Sequence, residues 1–241
     1  MLASFDLWMT LLDTGRFYRE IALRLSENLG LEPSGAERLL GRAYRAVKEE
    51  RARGGVRGER PVEDSLRIAE RVTEGLLEPD ALLQAVAEAA YTVDAESLVI
   101  PGARGALEWA AEAGFTVGVV SNVVFWHGQV SRLLLWRAGL SRLVDFQVYA
   151  DEAGCLKPSR CIFEEALRRA GSEPGCSVHI GDSFREDLLG ALLAGMRGVL
   201  VDPGSPRYVD ALHGFAVVPG VGGVAGAIEE LFHGARPDAP R

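Results

Sequence analysis

The chain opens on a short apolar run, Leu2 to Trp8 (LASFDLW), interrupted by a single acid and closed by Leu12-Asp13-Thr14-Gly15. An apolar run this short, bounded by turn residues, reads as a buried β-strand. From residue 17 to 91 the apolar spacing becomes helical. Phe17, Ile21, Leu25 and Leu29 share one face, and Gly30 supplies a stop. Ser34 and Glu37 form a capping box ahead of Leu39, Leu40, Ala43, Tyr44 and Val47, and Gly54-Gly55 ends that run. Pro61 opens a third helix through Val72, and Glu78-Pro79-Asp80 opens a fourth through Ala90. Four helices with short connections predict a small bundle.

Beyond Leu98 the pattern alternates. Strands are predicted at 115–121, 146–150, 176–181, 197–201 and 215–218, with helices at 102–113, 128–138, 159–170 and 187–195. Strands separated by helices require right-handed crossovers, hence a parallel sheet. The predicted fold class is α/β, with a core built from residues 1–14 and 96–241 and a helical domain, 15–95, inserted into it. The last residues, ARPDAPR, read as a frayed tail.

Composition narrows the function. At 241 residues and 48% hydrophobic, the chain can bury one large core, or a core and a smaller satellite. No apolar run approaches the roughly 18 residues that cross a bilayer, and no basic stretch precedes the N-terminal apolar residues, so a cytoplasmic protein without a membrane partner is expected. A formal charge of −8 disfavours nucleic acid and leaves small molecules as the expected partners. Cys155, Cys161 and Cys176 match no metal spacing and are odd in number, so reduced, structural cysteines are expected. Lys48 and Lys157 are the only lysines, and Asn28 and Asn122 the only asparagines, a bias that fits GC-rich coding. Where these residues occur, chemistry is a candidate reason.

Open parallel sheets bind ligands beyond the carboxyl ends of their strands. At those ends stand Asp6 with Thr10, Ser121-Asn122, Lys157 after the third strand, and Gly181-Asp182-Ser183 with Asp187. Singly, each has an ordinary role as a turn, cap or loop residue. Together they supply a carboxylate nucleophile, donors for an anion, a cation and an acidic loop for a metal.

Asp6-Leu7-Trp8-Met9-Thr10, Ser121-Asn122, Lys157-Pro158 and Gly181-Asp182-Ser183-Phe184-Arg185-Glu186-Asp187 resemble, in order, the four motifs of the haloacid dehalogenase-like (HAD) superfamily. The resemblance spans nearly the whole chain if residues 15–95 are a C1-type cap. It implies a Rossmann-like core, with Asp6 as a nucleophile that forms a covalent aspartyl intermediate and also binds Mg²⁺. Trp8, through its backbone carbonyl, and Asp182 would complete the protein's metal ligands. Thr10, Ser121 and the Asn122 backbone N–H would hold the transferring group, and Lys157 would neutralise charge. Asp187 would orient Lys157 or a metal-bound water.

The chain departs from the family at position 8, where its phosphatases usually carry a second Asp as general acid and base. Trp8 cannot do this, and in that respect the chain is similar to the 2-haloacid dehalogenase branch, whose halide leaving group needs no proton. The acidic loop around Asp182 points back to a metal. The favoured reading is therefore Mg²⁺-dependent hydrolysis of a small phosphorylated molecule. A metal-independent 2-haloacid dehalogenase and a catalytically weak, metabolite-binding relative are the alternatives. His127 is the candidate replacement acid, and His179 reads as core. The basic row from Arg42 to Arg60, with Lys48 and Arg51, reads as a solvated helix face interleaved with Glu49, Glu50 and Glu59.

Overall fold

The computed structural model describes residues 1–233, so the ARPDAPR tail lies outside the described residues. Strands β1 (Leu2–Phe5), β2 (Thr116–Ser121), β3 (Phe146–Tyr149), β4 (Ser177–Gly181), β5 (Arg197–Val201), β6 (Tyr208–Asp210) and β7 (Phe215–Val218) form one sheet of order β3-β2-β1-β4-β5-β7-β6. Every pairing is parallel except β6 with β7. β1 lies inside the sheet, with Phe5 level with Val119 on one side and Ile180 on the other. All four of its residues are buried, which explains their lack of polar alternation.

β1 is shorter than the apolar run predicts. Asp6 N–H still donates to Ile180 O at 2.7 Å, but Leu11 and Leu12 then both donate to Leu7 O, curling the chain into a tight turn. Met9 sits in that turn at φ 62°, a left-handed conformation uncommon for a residue with a side chain. The three-residue edge strand β6 carries too little pattern to be anticipated from sequence.

Helices α1 (Thr14–Leu29), α2 (Pro33–Ala52), α3 (Pro61–Val72) and α4 (Pro79–Thr92) fill the interval between β1 and β2. α1 buries Phe17, Ile21 and Leu25, packing against α4 and α2, and α2 packs on α3. Asp13 caps α1 by accepting from Arg16 N at 3.1 Å, and Gly30 ends it at φ 63°. The predicted capping box does not form: α2 begins at Pro33 behind Glu32, with no side-chain cap. Proline is preset for the first helical position, where its missing N–H costs nothing, which moves the start ahead of Ser34. The two chain crossings between this helical layer and the sheet run side by side, with Asp13 N donating to Leu98 O and Ile100 N to Leu11 O.

The crossovers carry α5 (Ala103–Glu112), α6 (Gly128–Arg137), the short α7 (Ala150–Ala153), α8 (Arg160–Ala170) and α9 (Gly190–Leu193), and α10 (Val224–His233) follows the last strand. A single π-helical turn, Phe184–Leu189, leads into α9. Among the described residues no helix is long and apolar enough to cross a membrane.

One expectation is corrected. Cys155 and Cys161 are joined in a disulfide with Cα atoms 6.3 Å apart, and only Cys176 is free and exposed. The segment between them folds back at Lys157-Pro158, a proximity that the spacing of the cysteines does not reveal. Thiol titration of unreduced, denatured protein is expected to find one reactive thiol per chain and three after reduction. Three from the outset would contradict the pairing.

Candidate active site

Asp6 is the first residue past β1, and its side chain is nearly buried. Lys157, with a side chain only 1% exposed, donates from Nζ to Asp6 Oδ1 at 2.6 Å, to Asp187 Oδ1 at 2.5 Å and to Val120 O at 2.9 Å. An ammonium has three protons, and all three are placed. The backbone carrying Lys157 is fixed from β2: Asn122 Oδ1 accepts from Lys157 N at 2.8 Å, and Asn122 Nδ2 donates to Lys157 O at 3.2 Å.

Asp187 is held on its far side as well. Ser183 N donates to its Oδ2 at 2.9 Å, and His179 Nε2 lies 3.0 Å from its Oδ1. A carboxylate only accepts, so the buried ring donates from Nε2 and offers Nδ1 to Ser4 Oγ, 2.9 Å away. Burial pushes the His179 pKa down, in keeping with that neutral ring. Gly181 permits the close approach, since a Cβ there would fall inside the Asp187 carboxyl. A continuous line of hydrogen bonds thus runs from Ser4 through His179, Asp187 and Lys157 to Asp6.

Asp182 adds a third carboxylate, and oxygens of Asp6, Asp182 and Asp187 lie within 4.8 Å of one another. Three carboxylates around one ammonium leave two negative charges uncompensated. Burial raises the Asp6 pKa to about 6, with Lys157 opposing and Asp187 adding to the rise. Asp182 stays exposed, and partial withdrawal of its carboxyl from water, then the charges of Asp6 and Asp187, push its pKa up to about 7. Burial acts upward on Asp187 too, but Lys157 and His179 outweigh it and hold this carboxyl well below its usual range. Burial likewise opposes the charge on Lys157, yet Asp187 and Asp6 keep its pKa above the ordinary value.

The donor set suits a hard divalent cation. Asp6 and Asp182 offer carboxylate oxygens, and the Trp8 carbonyl takes no part in the hydrogen bonds that close its turn. Asp187 is already engaged through both oxygens.

These groups face a cavity of about 90 Å³. Asp6, Ser121, Asn122 and Asp182 line its sheet side, while Trp8, Tyr18, Tyr44 and Trp126 form an aromatic wall. Trp8 stacks on Phe17 with ring centroids 5.6 Å apart and meets Trp126 edge-on at 5.3 Å. Thr10 does not reach the cavity. It is fully buried, with its hydroxyl lacking a partner. His127 points elsewhere: its side chain is half exposed and pairs with Asp151 at 3.1 Å, while its neighbour Trp126 turns inward. This geometry removes His127 as the replacement acid.

Two residues of the basic row read as solvated turn towards the site, Arg51 buried and Lys48 half-buried. Lys48 and Arg51 of α2 also line the cavity. Lys48 Nζ meets Glu186 Oε1 at 2.9 Å, and Arg51, with a side chain only 8% exposed, donates to Val123 O at 2.6 Å. Glu186 Oε2 in turn accepts from Asn122 Nδ2 at 3.0 Å, so α2 is fastened to the residues that hold Lys157. The scarcity of lysine was a usable signal for Lys48. His179, eight residues before Asp187, carried none.

The family model for haloacid dehalogenase-like hydrolases matches residues 1–195. The chain belongs to that family. It is 53% identical over 58 residues to a glyceraldehyde 3-phosphate phosphatase of Methanothermobacter thermautotrophicus, covering 24% of this chain and 26% of that one. The chain therefore spans about a quarter of that relative's length in this match. The HAD phosphatase of Thermococcus onnurineus superposes with a TM-score of 0.62 at 23% identity over 94% of this chain and 97% of that one. The L-2-haloacid dehalogenase of Xanthobacter autotrophicus superposes with a TM-score of 0.68 at 16% identity over 95% and 99%. At these identities the superpositions show the shared fold, which serves both chemistries.

The charge balance makes Lys157→Met a direct probe of the cluster. Leaving buried carboxylates unpaired is expected to cost about 3–5 kcal/mol in urea unfolding at pH 8. In the variant the pKa values of Asp6 and Asp187 would rise above their unfolded values, so the penalty should shrink as pH falls and these groups protonate. A loss below about 1 kcal/mol, independent of pH, would contradict the clamp.

Proposed function

We propose that this HAD-family hydrolase is a Mg²⁺-dependent phosphatase of small phosphorylated molecules, with Asp6 as nucleophile and helices α1–α4 as a cap. The observation that carries the reading is the Asp6–Lys157 contact at 2.6 Å with Asp182 alongside, a nucleophile paired with a cation inside an excess of negative charge. The small cavity and the phosphatase name of the relative matched over 58 residues support it. Trp8 favours the second reading, a 2-haloacid dehalogenase, but that chemistry leaves the carboxylate of Asp182 without a use.

A bound Mg²⁺, held by Asp6, Asp182 and the Trp8 carbonyl, would offset the repulsion between carboxylates and an anionic substrate. Lys157 fixes Asp6 and neutralises one of its oxygens, directing the other at phosphorus. Ser121 Oγ and the Asn122 N–H donate to the non-bridging oxygens. Attack forms an acyl phosphate on Asp6 as the P–O bond to the leaving group breaks, and water then cleaves it. Asp187, anchored by His179 and Ser183, holds Lys157 in place throughout. Trp8 supplies no acid, so leaving groups that depart without a proton react fastest.

Asp6→Asn is expected to lower turnover of p-nitrophenyl phosphate by on the order of 10⁴–10⁶ while the protein stays folded, the scale of removing a nucleophile. Trp8→Asp should raise turnover of alkyl phosphates over aryl phosphates by up to about 10²–10⁴, the value of a positioned general acid. Lost packing at Trp8 will take back part of that gain, because large-to-small replacement costs about 3–5 kcal/mol. Thermal melting is therefore measured alongside. Wild-type turnover of phosphate esters in chelator, or halide release from 2-chloropropionate in its place, would contradict the reading.

A further inference from the structure

The aromatic side of the active-site cavity holds polar atoms that the reaction at Asp6 does not use. Trp8 Nε1, Thr14 Oγ1, Tyr18 Oη and Arg51 Nε are all buried, and none has a hydrogen-bond partner. All four residues line the same cavity as Asp6 and Asp182. A buried donor without a partner costs roughly 1–3 kcal/mol, so four of them on residues that line one small cavity form an expensive arrangement. Two of them, the indole and guanidinium N–H groups, can only donate, and the two hydroxyls are free to donate as well. The wall around them is aromatic: Tyr18 lies 5.6 Å from Trp126 and 5.3 Å from Tyr44, ring centre to ring centre, with its ring tilted by 56° and 58° to theirs. The group that fits is small and rich in acceptors, carries negative charge beside Arg51, and has little apolar bulk.

We propose that Trp8, Thr14, Tyr18 and Arg51 form a subsite for a carboxylate leaving group, which makes the substrate a small acyl phosphate. This rests on the phosphatase reading above and names its substrate class. The missing acid at position 8 then becomes consistent chemistry. Asp6 attacks phosphorus, a P–O bond to Asp6 forms, and the P–O bond to the acyl group breaks. The electron pair leaves on the acyl oxygen as a carboxylate that needs no proton. Water then attacks the phosphorus of the aspartyl phosphate, the bond to Asp6 breaks, and both hydrogens of the water depart on dihydrogen phosphate. The second step also expels a carboxylate, that of Asp6. The first step makes no call on the acid that Trp8 replaces, in the second the protons of the water pass to phosphoryl oxygens, and the four donors would stabilise the charge that develops on the departing acyl oxygen.

The test compares acetyl phosphate with p-nitrophenyl phosphate in Mg²⁺, in wild type and in Tyr18→Phe and Thr14→Val, each removing one donor with little change in shape. Propionate binding, read from quenching of tryptophan fluorescence in protein without phosphate, provides a readout independent of turnover. Wild type is expected to favour acetyl phosphate by at least about tenfold in kcat/KM. Each variant should reduce that ratio, and weaken propionate binding, by about fivefold to tenfold, the scale of one hydrogen bond to a charged group. Turnover of p-nitrophenyl phosphate without preference for acetyl phosphate, or a preference that both folded variants retain, overturns the subsite and leaves the phosphatase reading standing. Failure to hydrolyse any phosphate overturns the phosphatase reading and the substrate class with it. In that case the propionate titration shows whether the donor set still holds a carboxylate.

Discussion

The ammonium of Lys157, shared between Asp6 and Asp187 with both contacts under 3 Å, is the interaction on which the site depends. A lysine buried this deeply keeps its charge only because carboxylates surround it, and those carboxylates stay ionised only because it is there. The surrounding structure over-determines its position. Asn122 grips its backbone from β2, Val120 takes its third proton, and Asp187 is braced by Ser183 and His179. A charge held at three hydrogen bonds does not wander, and Asp6 inherits that rigidity.

The same clamp explains why the site is electrostatically incomplete. Lys157 satisfies one negative charge of three, and burial, with the neighbouring carboxylates adding to it, raises the pKa values of Asp6 and Asp182 to about 6 and about 7. An anionic substrate would meet repulsion there unless a cation stood between. The chain brings its other lysine to the rim on α2, where Lys48 pairs with Glu186 and thereby joins the helical layer to Asn122. The helical layer and the cluster around Lys157 therefore share one hydrogen-bond network.

Much of this was legible in the sequence because the fold rests on periodicity. The helical spacing from Phe17 to Ala90 and the strand-helix alternation after Leu98 each recur over many residues, so single errors average out. Asp6, Ser121, Asn122 and Asp182 were legible because strand ends in a parallel sheet converge. What escaped depended on tertiary contact. The start of α2 shifted because Pro33 overrides a cap, and Cys155 met Cys161 because the chain turns back around Lys157-Pro158. His179 sits in a strand pattern indistinguishable from core until its ring is seen against Asp187. Arg51 belongs to a row of charges whose inward member is set by how α2 docks.

On the proposed reading Asp6, at the end of β1, and Asp182, at the end of β4, bind Mg²⁺, and the most direct measurement is thermal stability against Mg²⁺ concentration. A ligand at about 100 times its dissociation constant adds about 2.7 kcal/mol. For a chain of this size that corresponds to a rise in Tm on the order of 5–10 °C. Wild type should show this rise and lose it in chelator, and Asp182→Asn should show little of it. A wild-type Tm indifferent to Mg²⁺ and chelator alike would contradict the account.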